Sequence, residues 1–159
     1  MNKNKLKELV SALDELSDDV KDWGVEMESY DKPACGTPGC HAGLIYIVAE
    51  NLPELQDIYN PLYLLESKYR GKRDNQHMFY IWSTTLAIFL GFKSAQDLEI
   101  WAQDNPKFWG NKYGDYMFCA RLAFTDDKSK HLTHMDIIEH WKQVLKNIEE
   151  EEVKNYEQR

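Results

Sequence analysis

Two stretches of the chain carry apolar residues at helical spacing, and they constrain its fold more than any other feature. Their apolar positions are Leu6, Leu9, Val10, Leu13 and Leu16 in the first, and Ile137, Ile138, Trp141, Val144, Leu145 and Ile148 in the second. The spacing predicts a helix over residues 4–23 and another that follows a Thr-x-x-Asp cap at Thr133. Each stripe must be buried against another element, and no partner strands are evident, so we expect an all-α fold.

Start and stop signals predict further helices between these two stretches. Thr37 and Pro38 favour a helix start, and the apolar run 42–49 continues it, although its β-branched residues also fit a buried strand. Further helices are predicted at 61–69, 76–90, 94–103 and 116–124, with Gly91 as a C-cap and a packed aromatic loop at 105–116. The chain therefore predicts a single compact domain over 1–159, with five to seven helices and a flexible acidic tail from about residue 150.

The net charge of the 159-residue chain is −8, from 19 basic and 27 acidic residues, which weighs against general nucleic-acid binding. No apolar run is long enough for a secretory signal or a membrane span. Three cysteines are an odd number for the disulfide framework of a secreted domain. We therefore expect a cytoplasmic protein that binds neither membranes nor nucleic acids in general.

The string Cys35-Gly-Thr-Pro-Gly-Cys-His-Ala-Gly43 is the most specific motif in the chain. If Thr37 caps a helix, Cys40 lies at the positive end of that helix, where a thiol has a lowered pKa and favours the thiolate. Cys35 and Cys40 are then candidates for a thiol nucleophile, a redox pair or two metal ligands, and His41 is their neighbour in sequence. The alternative is structural: Cys40, Ala42 and Gly43 are small residues that let the helix pack closely, and Cys35 is a small buried hydrophobic residue.

The same string resembles a Cys-Gly-Thr-x-x-Cys-x-Ala-Gly signature in small, mostly uncharacterised proteins of bacteria and their phages. The matching positions are Cys35, Gly36, Thr37, Cys40, Ala42 and Gly43. A looser likeness continues through the apolar helix that ends at Phe89–Phe92, a Trp-rich loop and the final helix. His41 stands where the signature favours an apolar residue. The resemblance implies a small helical fold and a bacterial or phage setting, and it implies no particular reaction.

Acidic residues are concentrated between Asp14 and Asp31, where eight acids against one lysine give a local charge of −7. Such a segment attracts a partner with a basic surface and speeds its association. Asp18, Asp19 and Asp22 fall near the C-terminus of the predicted first helix, where acids oppose the helix dipole, so stability does not explain them. They are candidate binding residues, and the alternative is a solvated helix end that aids solubility.

Aromatic residues between Trp101 and Phe118 provide a second candidate binding surface. Trp101 and Trp109 are its leading members, because tryptophan is common at the energetic centres of interfaces. The other members are Phe108, Tyr113, Tyr116 and Phe118. The same residues also fit the interior of a helical domain, which needs large side chains to fill it.

Two weaker clusters lie elsewhere in the chain. Asp136 and His140 are spaced to share a helix face, and with His131 and His134 they are candidate metal ligands. The favoured alternative is that Asp136 caps the helix and that the histidines are solvated surface groups. The basic run 68–73 is too short for a nucleic-acid footprint and fits a solvated loop.

Two functions of different classes fit these features. We favour a small acidic accessory protein of a phage or bacterium, host-directed or regulatory, which binds a protein partner with a basic surface and uses no cofactor. The second is a thiol-dependent enzyme or a metal-binding protein that uses Cys35 and Cys40, with His41 as a further candidate. The sequence shows no complete catalytic set, which favours the first function.

Overall fold

Helices form all of the regular structure in the residues that the computed structural model describes, which are 1–21, 41–70, 75–110 and 134–158. The elements in these ranges are α1 (Lys3–Asp14), α2 (Asp18–Lys21), α3 (His41–Val48), α4 (Pro53–Arg70), α5 (Asn75–Phe89), α6 (Ala95–Asp104), α7 (Pro106–Trp109) and α8 (His134–Glu157). The predicted all-α fold class is confirmed. The helices in these ranges exceed the predicted five to seven only because α2 and α7 are short segments of four residues each.

α1 and α8 pack side by side in opposite directions. Their direction follows from two ion pairs, since Lys3 near the start of α1 pairs with Glu152 and Asp14 at its end pairs with Lys142. Between these pairs lie the buried side chains of both predicted stripes, which are Leu6, Leu9 and Leu13 on α1 and Ile137, Ile138, Trp141 and Val144 on α8. Removal of both stripes from water is the main stabilisation of the pair.

The apolar run at 42–49 is helical and forms α3, which confirms the preferred prediction. Leu44, Ile45 and Val48 of α3 are buried, and the helix packs on α5. Trp82 of α5 is also buried and stacks on Tyr59 of α4, with ring centroids 4.1 Å apart and an interplanar angle of 12°. α3, α4 and α5 therefore share a second part of the core. The helix start predicted at Thr37 lies outside the described residues.

The helix predicted to begin near Pro61 begins instead at Pro53, so that prediction of the start is wrong. Pro53 occupies the first position of α4, where the missing N–H of proline has no intrahelical partner to lose. Pro61 lies inside α4 and has no N–H to donate to the carbonyl of Asp57. The helix continues through Pro61 because Leu55 and Tyr59, in the preceding turns, are buried in the core.

The first helix is shorter than the predicted range 4–23. α1 ends at Asp14, and a bend separates it from α2, which begins at Asp18. In one continuous helix these acids would collect near the negative C-terminal end. The bend instead places Asp18 and Asp19 in the first turn of α2. The prediction that these two residues oppose a helix dipole is therefore wrong.

The acidic end of the chain is helical, and the tail predicted from about residue 150 is not observed as such. α8 continues to Glu157. The run of four glutamates at 149–152 pairs with lysines on α1, α7 and α8 itself, so the local concentration of negative charge does not unwind the helix. Composition alone predicts a solvated tail. It misses the ion pairs because most of the lysines that pair with these glutamates are distant in sequence.

Capping signals set both ends of α6 as predicted. The hydroxyl of Ser94 accepts a hydrogen bond from the N–H of Asp97 at 3.1 Å, which satisfies one of the free donors at the helix start. α6 ends at Asp104, directly before Asn105 and Pro106. The next residues, predicted to begin an aromatic loop, form α7, with Pro106 in the first turn of this short helix.

Gly91 ends α5 in a conformation that disfavours other residues. Its φ is 89°, and the N–H groups of Gly91 and Phe92 donate to the carbonyls of Ile88 and Ala87 at 2.9 Å each, which is a Schellman motif. A Cβ at position 91 would lie 3.3 Å from the Cβ of Asn2, so the start of the chain packs tightly on this turn.

We expect Gly91→Ala to lower the free energy of unfolding by about 1–2 kcal/mol, because alanine is strained at positive φ. Gly110→Ala is the matched control, since Gly110 has a φ of 79° but no atom of a described residue within 4 Å of an added Cβ. Urea denaturation followed by circular dichroism measures both variants. A smaller loss for Gly91→Ala than for Gly110→Ala would contradict the close approach of Asn2.

Candidate interaction surface

One end of the fold, formed by the end of α1, by α2 and by the first turns of α8, is rich in carboxylates, and we call it the acidic end. Nδ1 of His134 lies 3.0 Å from the carbonyl oxygen of Val20 and donates to it, which holds α2 against α8. Asp18 and Asp19 are exposed and form no ion pair with any residue that the structure describes. The acidic side chains that define this end are Asp14, Glu15, Asp18, Asp19 and Glu139.

Lys142 compensates part of the charge at the acidic end. Its Nζ lies 2.7 Å from Asp14 and 3.3 Å from Glu139. The hydrogen bond to Asp14 is the main cause that raises the pKa of Lys142 above its ordinary value. Asp14 and Glu139 share this one ammonium group, whereas Glu15, Asp18 and Asp19 form no ion pair with a described residue.

The opposite end of α8 is also acidic in sequence, but its run of four glutamates is compensated. Four consecutive glutamates each pair with a different lysine, namely Glu149 with Lys7, Glu150 with Lys146, Glu151 with Lys107 and Glu152 with Lys3. The hydrogen bond from Lys107 lowers the pKa of Glu151 below its ordinary value. Among the described residues, the two acidic stretches therefore differ, because Asp18 and Asp19 form no ion pair and each of the four glutamates forms one.

Trp101 lies half-buried in a row of aromatic rings on α6 and its neighbouring turns. Its ring centroid is 5.9 Å from that of Phe92 and 6.2 Å from that of Phe108, to which it is parallel within 4°. Lys107 places its ammonium group 4.7 Å from the centroid of Phe108, in a cation–π arrangement. Trp101 thus has part of its surface available to a partner.

Trp109, the other predicted aromatic binding residue, lies in the core. It is 5% exposed, and its ring meets those of His140 and Trp141 edge-on, at centroid distances of 4.4 and 5.4 Å. Trp109 is therefore a core residue, as in the alternative interpretation that these aromatic residues fill the interior of the domain. Tyr113, Tyr116 and Phe118 lie outside the described residues.

The acidic end and Trp101 do not form one site. α2 meets α8 at His134, whereas the carbonyl of Phe108, the ring partner of Trp101, accepts a hydrogen bond from Asn147 at 2.9 Å. His134 and Asn147 are thirteen residues apart on α8, which is about 20 Å along the helix axis. The two candidate surfaces inferred from the sequence are therefore separate in space.

The histidines of α8 are structural residues, contrary to the prediction that they are solvated. His134 is fully buried and His140 is 6% exposed, against Trp109. Asp136 shares a helix face with His140 and lies half-buried in the first turn. The part of the chain that the structure describes contains no group of three or more residues able to hold a metal ion.

The cysteine motif is mostly outside the described residues. Cys35, Cys40, Asp22 and His131 fall in ranges that the structure does not describe, and His41 is the first residue of α3. The structure therefore neither supports nor contradicts the hypotheses that Cys35 and Cys40 act as reactive thiols or as metal ligands. Of the basic run 68–73, Lys68 is an exposed residue of α4, and residues 71–73 lie outside the described ranges.

The outer face of α4 exposes apolar residues that were not predicted as functional. Leu64 and Leu65 are 69% and 60% exposed, the largest values among the exposed aliphatic residues in the described ranges. The inner face of the same helix buries Leu55 and Tyr59. Two apolar faces on one helix are a signal that periodicity analysis can detect, because a helix that only covers a core is polar on its outer face.

Comparisons with protein-family models, with curated proteins and with solved structures find no match. The resemblance carried by Cys35, Cys40 and Gly43 therefore remains an expectation from the sequence. None of the helices in the described ranges is both long and apolar enough to cross a membrane.

Proposed function

We propose that this protein is a small bacterial or phage accessory factor that binds a protein partner with a basic surface through its acidic end. The observation that supports the proposal is the uncompensated charge of Asp18 and Asp19. Both are exposed and form no ion pair with a described residue, whereas each glutamate of the run 149–152 pairs with a lysine. Charge that no described residue compensates is available to a partner.

The arrangement of the acidic end fits a role in association. A surface with one sign of charge steers an oppositely charged protein during its approach and raises the association rate more than the final affinity. The effect extends about 8 Å into solution at physiological ionic strength, so it weakens as salt is added. Trp101 is not part of the acidic end. We therefore expect the partner to recognise the carboxylates and not this aromatic ring. We place the protein in the cytoplasm, and the proposed role requires no cofactor.

The test of the proposed function is a charge reversal at the acidic end. We expect Asp18→Lys combined with Asp19→Lys to abolish the capture of a basic protein from a bacterial lysate, because the variant repels the surface that the natural protein attracts. Quantitative mass spectrometry of proteins retained by each immobilised variant measures the effect. Capture by the natural protein is expected to fall as salt is raised.

Glu50→Lys combined with Asp104→Lys is the matched control, since both residues are exposed, form no ion pair with a described residue and carry the same charge. This control is expected to retain the partner, which separates a local surface from the effect of net charge. Loss of the partner in both variants would assign binding to net charge alone and contradict the proposal. Equal retention by all three proteins, or no salt-sensitive partner at all, would also contradict it.

A further inference from the structure

The outer face of α4 carries a row of exposed residues with charges at its two ends, and we call it the α4 stripe. Its members are Asp57, Pro61, Leu64, Leu65 and Lys68, and all of them are exposed. Their spacing of four, three, one and three residues keeps them on one helix face. The stripe thus has an apolar centre, an acid toward its N-terminal end and a lysine toward its C-terminal end.

The charges of the α4 stripe are too far apart to pair with each other. Asp57 and Lys68 are eleven residues apart on one helix, which is about 16 Å along its axis. Neither residue forms an ion pair with another residue in the described part of the chain. The two charges and the leucines between them are therefore all available to a partner.

We propose that the α4 stripe binds the α4 stripe of a second copy of this chain, with the two helices antiparallel about a two-fold axis between Leu62 and Tyr63. This register places Asp57 of each copy opposite Lys68 of the other, which forms two identical ion pairs. It also places Pro61 of each copy opposite Leu64 of the other, at the centre of the contact. A parallel arrangement fails, because it sets like charges against each other.

The charge pattern selects a second copy over an unrelated partner. An isologous contact requires a surface that is complementary to itself, with each residue and its counterpart on opposite sides of the axis. The α4 stripe meets this requirement at both charged positions and in its apolar centre. Val153 and Tyr156 on α8 are also exposed apolar residues, and Lys146 lies eleven residues before Glu157 on the same helix. Lys146 already pairs with Glu150, however, so this face does not offer two unpaired opposite charges to a second copy.

The geometry of the contact limits its strength. Each charged residue lies about 8 Å from the crossing point, so both ion pairs close only when the helices cross at a small angle, about 20°. A single helix pair with two exposed leucines on each side falls in the smallest class of specific interfaces. The dimer is therefore weak, and we expect it to be populated only above roughly 100 μM.

Sedimentation velocity of the full chain over a concentration series tests the proposal. We expect a concentration-dependent dimer whose dissociation constant rises about tenfold or more in Leu64→Glu and in Asp57→Lys. The double variant Asp57→Lys with Lys68→Glu exchanges the charges and restores the natural dissociation constant. Val153→Glu, at an exposed apolar position on α8, is the control and leaves the dissociation constant unchanged. Circular dichroism confirms that each variant is folded.

Zero-length carbodiimide cross-linking of a mixture of isotopically light and heavy chains tests the register. We expect peptides in which Asp57 of a light chain is joined to Lys68 of a heavy chain, since 16 Å of helix prevents this link within one copy. Monomers at every concentration, a dimer unaffected by Leu64→Glu, a dimer lost in Val153→Glu, or failure of the exchanged charges to restore association would each overturn the proposal. None of these outcomes bears on the acidic end, which lies on other helices.

Discussion

Trp141→Ala is expected to lower the free energy of unfolding by about 3–5 kcal/mol, the largest loss among the variants considered. Trp141 is fully buried on the inner face of α8, and its ring meets that of Trp109 on α7 edge-on at 5.4 Å. Its removal creates a cavity where α7 and α8 join, and the rings of Trp109 and His140 lose a packing partner. Urea denaturation followed by far-ultraviolet circular dichroism measures the loss without depending on tryptophan fluorescence.

Trp101→Ala is the matched control for Trp141→Ala. Trp101 is half-buried, so part of its ring remains in water in the folded protein and its removal costs less, about 1–2 kcal/mol. The pair therefore tests whether the two tryptophans differ in role as their burial indicates. Equal losses for the two variants would contradict the assignment of Trp141 to the core and of Trp101 to the surface.

Local signals in the sequence predict those parts of the fold that depend on neighbouring residues. Ser94 and Asp97 form the predicted cap because the donor and acceptor are three residues apart. Gly91 ends α5 because a positive φ suits glycine. The stripes of α1 and α8 also follow from spacing alone, since a helix with one apolar face needs another element to cover it.

Predictions fail where distant residues decide the outcome. Pro61 is typical of a helix start, yet α4 begins at Pro53 and continues through Pro61. The burial of Leu55 and Tyr59 stabilises the turns before Pro61. The glutamates at 149–152 read as a flexible tail, yet three of their four lysine partners lie outside α8, on α1 and α7. No local pattern contains these partners, because the contacts exist only once the helices are packed.

The candidate site was predicted in part, and its limits have a physical cause. Charge counting along the chain found Asp18 and Asp19, because exposed acids need no tertiary partner to be recognised. The same counting could not separate them from the acids of 149–152, which pair with lysines in the folded protein. The aromatic pattern likewise grouped Trp101 with Trp109, although Trp101 is half-buried and Trp109 lies in the core.

Leu9→Ala is expected to lower the free energy of unfolding by about 2–5 kcal/mol. Leu9 is fully buried between α1 and α8, in the middle of the apolar stripe that joins the two helices. The ion pairs along the same two helices involve exposed side chains, and exposed pairs contribute about 0–1 kcal/mol each. We therefore expect Lys3→Gln combined with Lys7→Gln to cost less than Leu9→Ala, although it removes two contacts between the helices.

The dependence on ionic strength distinguishes the contribution of the ion pairs from that of apolar burial between α1 and α8. Raising the ionic strength to about 1 M shortens the screening length to about 3 Å, so the cost of removing Lys3 and Lys7 should shrink while that of Leu9→Ala persists. Urea denaturation of the three proteins at low and high salt measures both quantities. Two outcomes would show that charge, and not apolar burial, holds α1 on α8: a lysine variant as unstable as Leu9→Ala, or a Leu9→Ala loss that disappears in salt. The expected outcome instead assigns the ion pairs to the alignment of the helices, and apolar burial to their stability.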